Sequence, residues 1–357
     1  MLPDASVPVT EPTRPALWIR TVAGPSIGFG HLRRSLVLAR ILEASLEPIF
    51  LLDPGDSGSQ AQVAAQGWRT QLYRGNTVWS KLPLPDAILI DTRETQGTLQ
   101  LLAEAHARGI PIISIHDLGL NPLPSEIVID GSILPMTDQF SGRNTSFYTG
   151  PEYLVLDPAF GLMHQRHKRI ADRIEAVVVN LGGGNSGPCF VKVLEGLRLC
   201  DLELEVTGLP GFTSWGQSSI AETDWRPLRF RWAKDDESLA RLLFHADLAI
   251  TAGGLSAYEA LCTGTPLLAV AVEKYQSLTI SALEVEEACI NLGCLDSFNP
   301  VRIPGVLCSL ATDGTRRARL SLRGARIVDG CGAERVSHLI REAVFDHAGI
   351  APAGNDR

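Results

Sequence analysis

The sequence predicts an α/β protein of two successive units, each with a mostly parallel sheet flanked by helices. Three observations predict it. Short apolar runs recur between segments of helical period, the pattern of βαβ units. The alternation breaks near residues 148–174 and then starts again. Glycine-rich turns follow strands and open helices in both halves. At 357 residues the chain has room for two domains of about 100–200 residues each.

Taken in order, residues 16–21 form a buried strand and a helix runs on to Leu42, with Leu32, Leu36, Val37, Ala39 and Leu42 at helical spacing. Strands follow at 47–52 and 86–91. A helix over 96–108 stops at Gly109, and further strands lie at 111–116 and 126–130. Residues 153–160 lead into a charged helix at 164–173, which marks the crossing between domains with a boundary near 172. The second half repeats the design. Strands fall at 176–181, 202–207, 228–232, 247–251 and 264–272, and helices at 189–199 and 238–244. Three helices close the chain, the last starting near Gly332. Residues 1–15, with four prolines and no apolar core, read as a disordered lead-in, and 346–357 as a flexible tail.

His31, in Gly28-Phe29-Gly30-His31-Leu32-Arg33-Arg34, sits at a helix entrance. The positive end of a helix disfavours the imidazolium, which suits a neutral ring that takes up a proton near pH 7. A histidine that caps a helix or packs in a turn has the same local pattern. Gly28 and Gly30 allow close approach of a ligand, while Arg20, Arg33 and Arg34 flank the turn as anion binders or as solvated charges. Asp117 and Asp91 end strands, and ligands of parallel sheets bind beyond such ends. Asp117 is the first choice to orient His31 or hold a sugar hydroxyl.

Two glycine turns mark the second half. The run 182–187, with Gly183, Gly184, Asn185 and Ser186, lacks the spacing of a dinucleotide fingerprint and the lysine of a P-loop. Its amides can still face an anion. In Thr251-Ala-Gly-Gly-Leu-Ser-Ala-Tyr-Glu259, Gly253 and Gly254 let a ligand approach the backbone, and Ser256 caps the helix or binds phosphate. Glu259 either completes a capping box with Ser256 or grips a ribose diol. Two such turns in one domain suit a diphosphate and a nucleoside.

Together these motifs resemble the nucleotide-sugar hydrolase of pseudaminic acid synthesis, an enzyme of cell-surface polysaccharide formation. The likeness rests on residues 27–39, Ile115-His-Asp117, Tyr153-Leu-Val-Leu-Asp-Pro-Ala-Phe160, the 182–187 loop, Thr251-Ala-Gly-Gly254 with Glu259, and residues 328–336. That hydrolase is similar in turn to the transferase that adds N-acetylglucosamine to the lipid-linked peptidoglycan precursor. The resemblance implies a GT-B fold, two Rossmann-like domains with a cleft between them. Residues 16–172 would form the sugar and catalytic side, and 173–345 the UDP side. It further implies that His31 deprotonates a water that attacks the anomeric carbon and expels UDP, with no metal and no cofactor. The 182–187 and 253–256 loops would hold UDP and Glu259 the ribose, with Gly28, Gly30, Arg33 and Arg34 near the substrate. The chain departs from the family at Asn185, at Asp157 and at Thr92-Arg93. A glycosyltransferase with a sugar acceptor, and a non-catalytic sugar-nucleotide-binding protein, remain as alternatives.

Composition bounds the partners. A net charge of -8 argues against nucleic acid, which needs a basic face. Seven cysteines without a CxxC pair read as a reduced, cytoplasmic pattern. No apolar run approaches the roughly 18 residues of a membrane span.

Overall fold

Two strands buried on both faces anchor each sheet of the computed structural model. It describes residues 14–24, 28–75, 78–92, 96–118, 123–134, 145–183, 186–200, 202–211, 220 and 222–349. The first sheet contains β1 (Ala16–Thr21), β2 (Glu47–Leu52), β3 (Arg69–Leu72), β4 (Ala87–Asp91), β5 (Ile112–His116), β6 (Ile127–Asp130) and β7 (Ser146–Thr149). Their order is β3-β2-β1-β4-β5-β6-β7, and every pairing is parallel. β1 and β4 are buried at every residue, because a parallel sheet is covered on both sides and tolerates apolar residues on each.

Helices α1 (Gly30–Leu42), α2 (Ser57–Ala65) and α3 (Gln96–Ala107) provide the crossovers. Leu17, Ile19 and Leu89 pack with Leu32, Leu38 and Leu42 of α1. Trp18, Ile88 and Ile90 face Leu101 and Leu102 of α3. The alternation along each strand thus sends successive side chains to opposite cores.

The second sheet holds β8 (Ala176–Asn180), β9 (Glu205–Gly208), β10 (Arg229–Trp232), β11 (Leu248–Ala252), β12 (Leu267–Ala271) and β13 (Ile290–Cys294). It is again all parallel, in the order β10-β9-β8-β11-β12-β13. In both sheets the order reverses at one place, between β1 and β4 and between β8 and β11. A crevice opens beyond the strand ends at such a reversal. Its helices are α5 (Gly187–Arg198), α6 (Leu239–His245), α7 (Leu255–Cys262), α8 (Gln276–Val285), α9 (Arg302–Thr312) and α10 (Gly314–Ile327), with α4 (Pro158–His164) at the crossing and α11 (Gly332–Ala348) last.

Several expectations change. Strands β3, β7 and β13 carry no clear apolar run because they sit at sheet edges, where side chains stay partly exposed. Residues 164–173 do not form the expected charged helix. Instead the helix is α4, which starts where Asp157 accepts from the Ala159 amide and Pro158 presets the first turn. It ends at His164, and His167 adopts a positive φ of 51°. The last helix reaches Ala348, so the expected tail is helical up to there, while 1–13 and 350–357 lie outside the described residues.

The division at residue 172 does not describe α11, which returns to the first half. Val336, Ile340 and Val344 join the core of Leu17 and Leu42. Two strands of chain therefore cross between the halves, 150–160 and 328–332, and they touch. A Cβ on Gly330 would lie 2.6 Å from the Gly161 Cα, and one on Gly332 would run into the Leu154 backbone, 2.8 Å from its nitrogen. Arg335 binds Asp329 at 2.6 Å and donates to the Glu152 carbonyl at 2.8 Å. Much of the 328–336 motif thus builds the crossing. Gly332→Val should lower stability by about 1–3 kcal/mol or more, since backbone cannot give way to the added carbons. Urea unfolding against the parent measures it.

Candidate active site in the interdomain cleft

Where β1 gives way to α1, Gly24 and Gly28 exchange backbone hydrogen bonds of 3.1 and 2.7 Å, and Gly28 has φ +85°. A side chain would be strained there. No side chain caps α1, which places His31 in its first turn with Arg34 one turn on, toward the end of β4.

The carboxylate of Asp91, fully buried at the last residue of β4, gathers both. His31 Nδ1 lies 2.7 Å from Asp91 Oδ1, while Arg34 donates through Nε to Oδ2 and through Nη2 to Oδ1, each at 2.6 Å. Arg34 also donates to Asp117 at 2.6 and 3.1 Å. Two lone pairs do not face each other at 2.7 Å, so Nδ1 carries its proton toward Asp91. Arg34 Nη2 also lies 3.0 Å from Nδ1, but it is a donor already spent on the carboxylates. The other ring nitrogen, Nε2, lies 4.0 Å from Asp117 Oδ2, whose side chain is half exposed. The ring is thus oriented by a buried carboxylate. Burial works against the Arg34 charge, and the fields of Asp117 and then Asp91 outweigh it, so its pKa rises well above the usual value.

Asp91, then, rather than Asp117, orients His31. Both end strands, so the sequence ranked them on equal topology. What separates them is register, since β1 and β4 pair Thr21 with Asp91, directly beside the start of α1. Arg34, expected near the substrate, is buried and bonded to both carboxylates. Its neighbour Arg33 reaches the second half and lies 3.5 Å from Glu259 Oε1.

Glu259 is buried in α7, and among the described residues its Oε2 has no hydrogen-bond partner. Burial raises its pKa, Arg33 lowers it and Asp157 raises it again. The expected capping box does not form. Gly254 occupies the N-cap, so Ser256 falls inside the helix and donates to the Ala252 carbonyl at 3.3 Å. Gly253 is required by packing, because its Cβ would lie 2.6 Å from Ile280 Cγ1 and 2.9 Å from the Gln276 carbonyl. Gly254 is open by comparison, with the Gln276 amide nitrogen 3.6 Å from its Cβ position. Gln276 was not singled out from sequence, and only its place beside this turn gives it interest. Gly183 follows β8, and Ser186 stands at the start of α5. Gly184, Asn185 and Arg93 lie outside the described residues. The Tyr258 hydroxyl accepts from the Ile133 amide at 3.0 Å, a second bond between the halves. A separate cavity of about 720 Å³, lined by Arg229, Arg231, Arg241 and His245 among others, shares no residue with these turns.

Fold and topology together define the GT-B class of fold, two βα units with a cleft between them. The structure resembles that of MurG from Acinetobacter baumannii, with a TM-score of 0.68 at 14% identity over 92% of this chain and 99% of that one. HepE of Anabaena, solved with UDP-glucose, gives a TM-score of 0.55 at 13% identity over 92% and 99%. In sequence, the chain is 27% identical over 201 residues to the spore coat polysaccharide biosynthesis protein SpsG of Bacillus subtilis, covering 56% of this chain and 59% of SpsG. It is 24% identical over 273 residues to an uncharacterised protein of Methanocaldococcus jannaschii, covering 70% of this chain and 54% of that protein. The chain thus spans a little over half the length of these curated relatives. No family model matches it. Among the described residues, no helix is long and apolar enough to cross a membrane.

Two measurements check the cluster. Long-range proton–nitrogen NMR should show His31 protonated on Nδ1, and Asp91→Asn should lose that preference. Burial pushes the neighbouring His116 imidazole down to about 4 from 6.5, with Asp117 opposing and Arg34 assisting the shift. The unfolded chain then takes up its proton first as the pH falls. Stability contributed by neutral His116 should be intact above pH 6.5 and decline toward pH 4, by about 3 kcal/mol at 1.36 kcal/mol per unit. Denaturation of the parent and of His116→Gln across that range should reveal the difference.

Proposed function

We propose that this chain hydrolyses a UDP-activated acetamido-deoxysugar, cleaving the anomeric C–O bond and releasing UDP, with His31 as general base. The buried Asp91–His31 pair carries the reading, because it leaves one basic nitrogen beside the cleft and fixes its tautomer. Support also comes from the motif likeness to the hydrolase of pseudaminic acid synthesis and from the polysaccharide-related name of SpsG. The seven free cysteines suit a reducing cytoplasm.

In this mechanism His31 Nε2 takes a proton from water as the water oxygen bonds to the anomeric carbon. The bond from that carbon to the diphosphate oxygen breaks, and its electron pair leaves with UDP. Asp91 keeps the ring aligned and balances the imidazolium that forms. The backbone at Gly183, Gly254 and Ser256 would meet the diphosphate, and Glu259 the ribose hydroxyls. Asp117, half exposed beside Nε2, is available to a sugar hydroxyl.

The glycosyltransferases among the similar structures favour a second reading, in which a sugar hydroxyl replaces the water before the same base. Incubation with a panel of UDP-sugars separates the cases. UDP release in water alone supports the hydrolase, release only with an acceptor supports the transferase, and binding without turnover supports a binding protein. His31→Ala should cut turnover by about 10²–10⁴-fold with UDP affinity largely kept, and His31→Asn should match it. Glu259→Ala should weaken UDP binding by about 1–3 kcal/mol in calorimetry and affect the chemical step less.

A further inference from the structure

The contact between Arg33 and Glu259 joins the two halves across the cleft and has unusual features on both sides. Glu259 is only 3% exposed in its side chain, yet among the described residues one carboxylate oxygen has no partner. The other faces Arg33 at 3.5 Å, beyond the 2.7–2.9 Å or so of a strong charge-assisted hydrogen bond. A buried carboxylate so poorly satisfied is costly unless a further donor arrives. Arg33 is the opposite case, 43% exposed on a long stem in the opening turns of α1. One partner is fixed and in need of donors, and the other is free to move.

We propose that Arg33 and Glu259 form a latch that selects nucleoside diphosphates over nucleosides. This rests on the reading above that Glu259 takes the ribose. A vicinal diol brings two O–H donors, one for each carboxylate oxygen, and so displaces the guanidinium. A neutral nucleoside then leaves Arg33 without the counter-ion it had. A diphosphate supplies a new one, because phosphate oxygens match the guanidinium fork at least as well as a carboxylate does. Opening the latch is therefore offset only for a ligand that carries both groups.

The latch predicts a ratio rather than a single affinity. Titration calorimetry of the full chain with UDP and with uridine should give a large preference for UDP. In Arg33→Met that preference should fall about tenfold or more, through weaker UDP binding with uridine unchanged or tighter. Arg33→Lys, which keeps the charge without the fork, should fall between. An equal loss for both ligands in Arg33→Met, or an unchanged ratio, overturns the latch while the nucleotide reading stands. If the parent chain binds neither ligand, the nucleotide reading fails and the latch with it. The exposure of Arg33 makes both variants compatible with the fold, and thermal unfolding near that of the parent verifies it.

Discussion

A fully buried carboxylate, Asp91, is the interaction on which the cleft depends. An ionised acid away from water is tolerated only when its oxygens are saturated by donors. Here Arg34 supplies two, His31 a third, and Ser35 stands 3.5 Å away. Arg34 is in turn a buried cation that needs Asp117 as its second counter-ion. The network therefore ties the start of α1 to the ends of β4 and β5. Removing one member strands the others, which is why each has little freedom. That rigidity gives the imidazole a single orientation, with Nδ1 toward Asp91.

Topology decides that this network lies at the strand-end edge of the first sheet. All thirteen strands named here run in parallel within their sheets, so every loop after a strand emerges on the same edge. The reversal of strand order beside β1 and beside β8 leaves a gap on that edge in each half. The double crossing then sets the gaps against each other. Gly161, Gly330 and Gly332 allow two backbones to touch, and α11 fastens the second half to the core beside α1. Arg33–Glu259 and Tyr258–Ile133 are the polar contacts that result.

Some of the site was legible in local pattern. His31 after Gly28-Phe-Gly30 read as lying at a helix entrance, and the first turn of α1 holds it there. Glu259 read either as a capping partner or as a ribose ligand, and Ser256, inside the helix and bonded to the Ala252 carbonyl, removes the first option. Other positions gained a reason the local pattern does not carry. Gly253 read as a glycine that lets a ligand approach the backbone, and Ile280 also occupies the space a side chain there would need. Arg33 and Arg34 are neighbours in sequence, yet a step of about 100° around the helix sends one across the cleft and the other into the sheet.

By itself the sequence determined the alternation of central strands and helices, the doubling of the design and the positions of the glycine turns. These follow from hydrophobic period and backbone permissiveness, which act over a few residues. Only the tertiary structure decided that Asp91 rather than Asp117 holds His31, that Arg34 is structural and Arg33 bridging, and that the last helix belongs with the first core. Edge strands β3, β7 and β13 belong to the same group, since hydrogen bonds from a neighbour create them in the absence of an apolar run. Each of these depends on register or on packing between residues far apart in the chain, and local pattern carries no record of which distant partner occupies a given space.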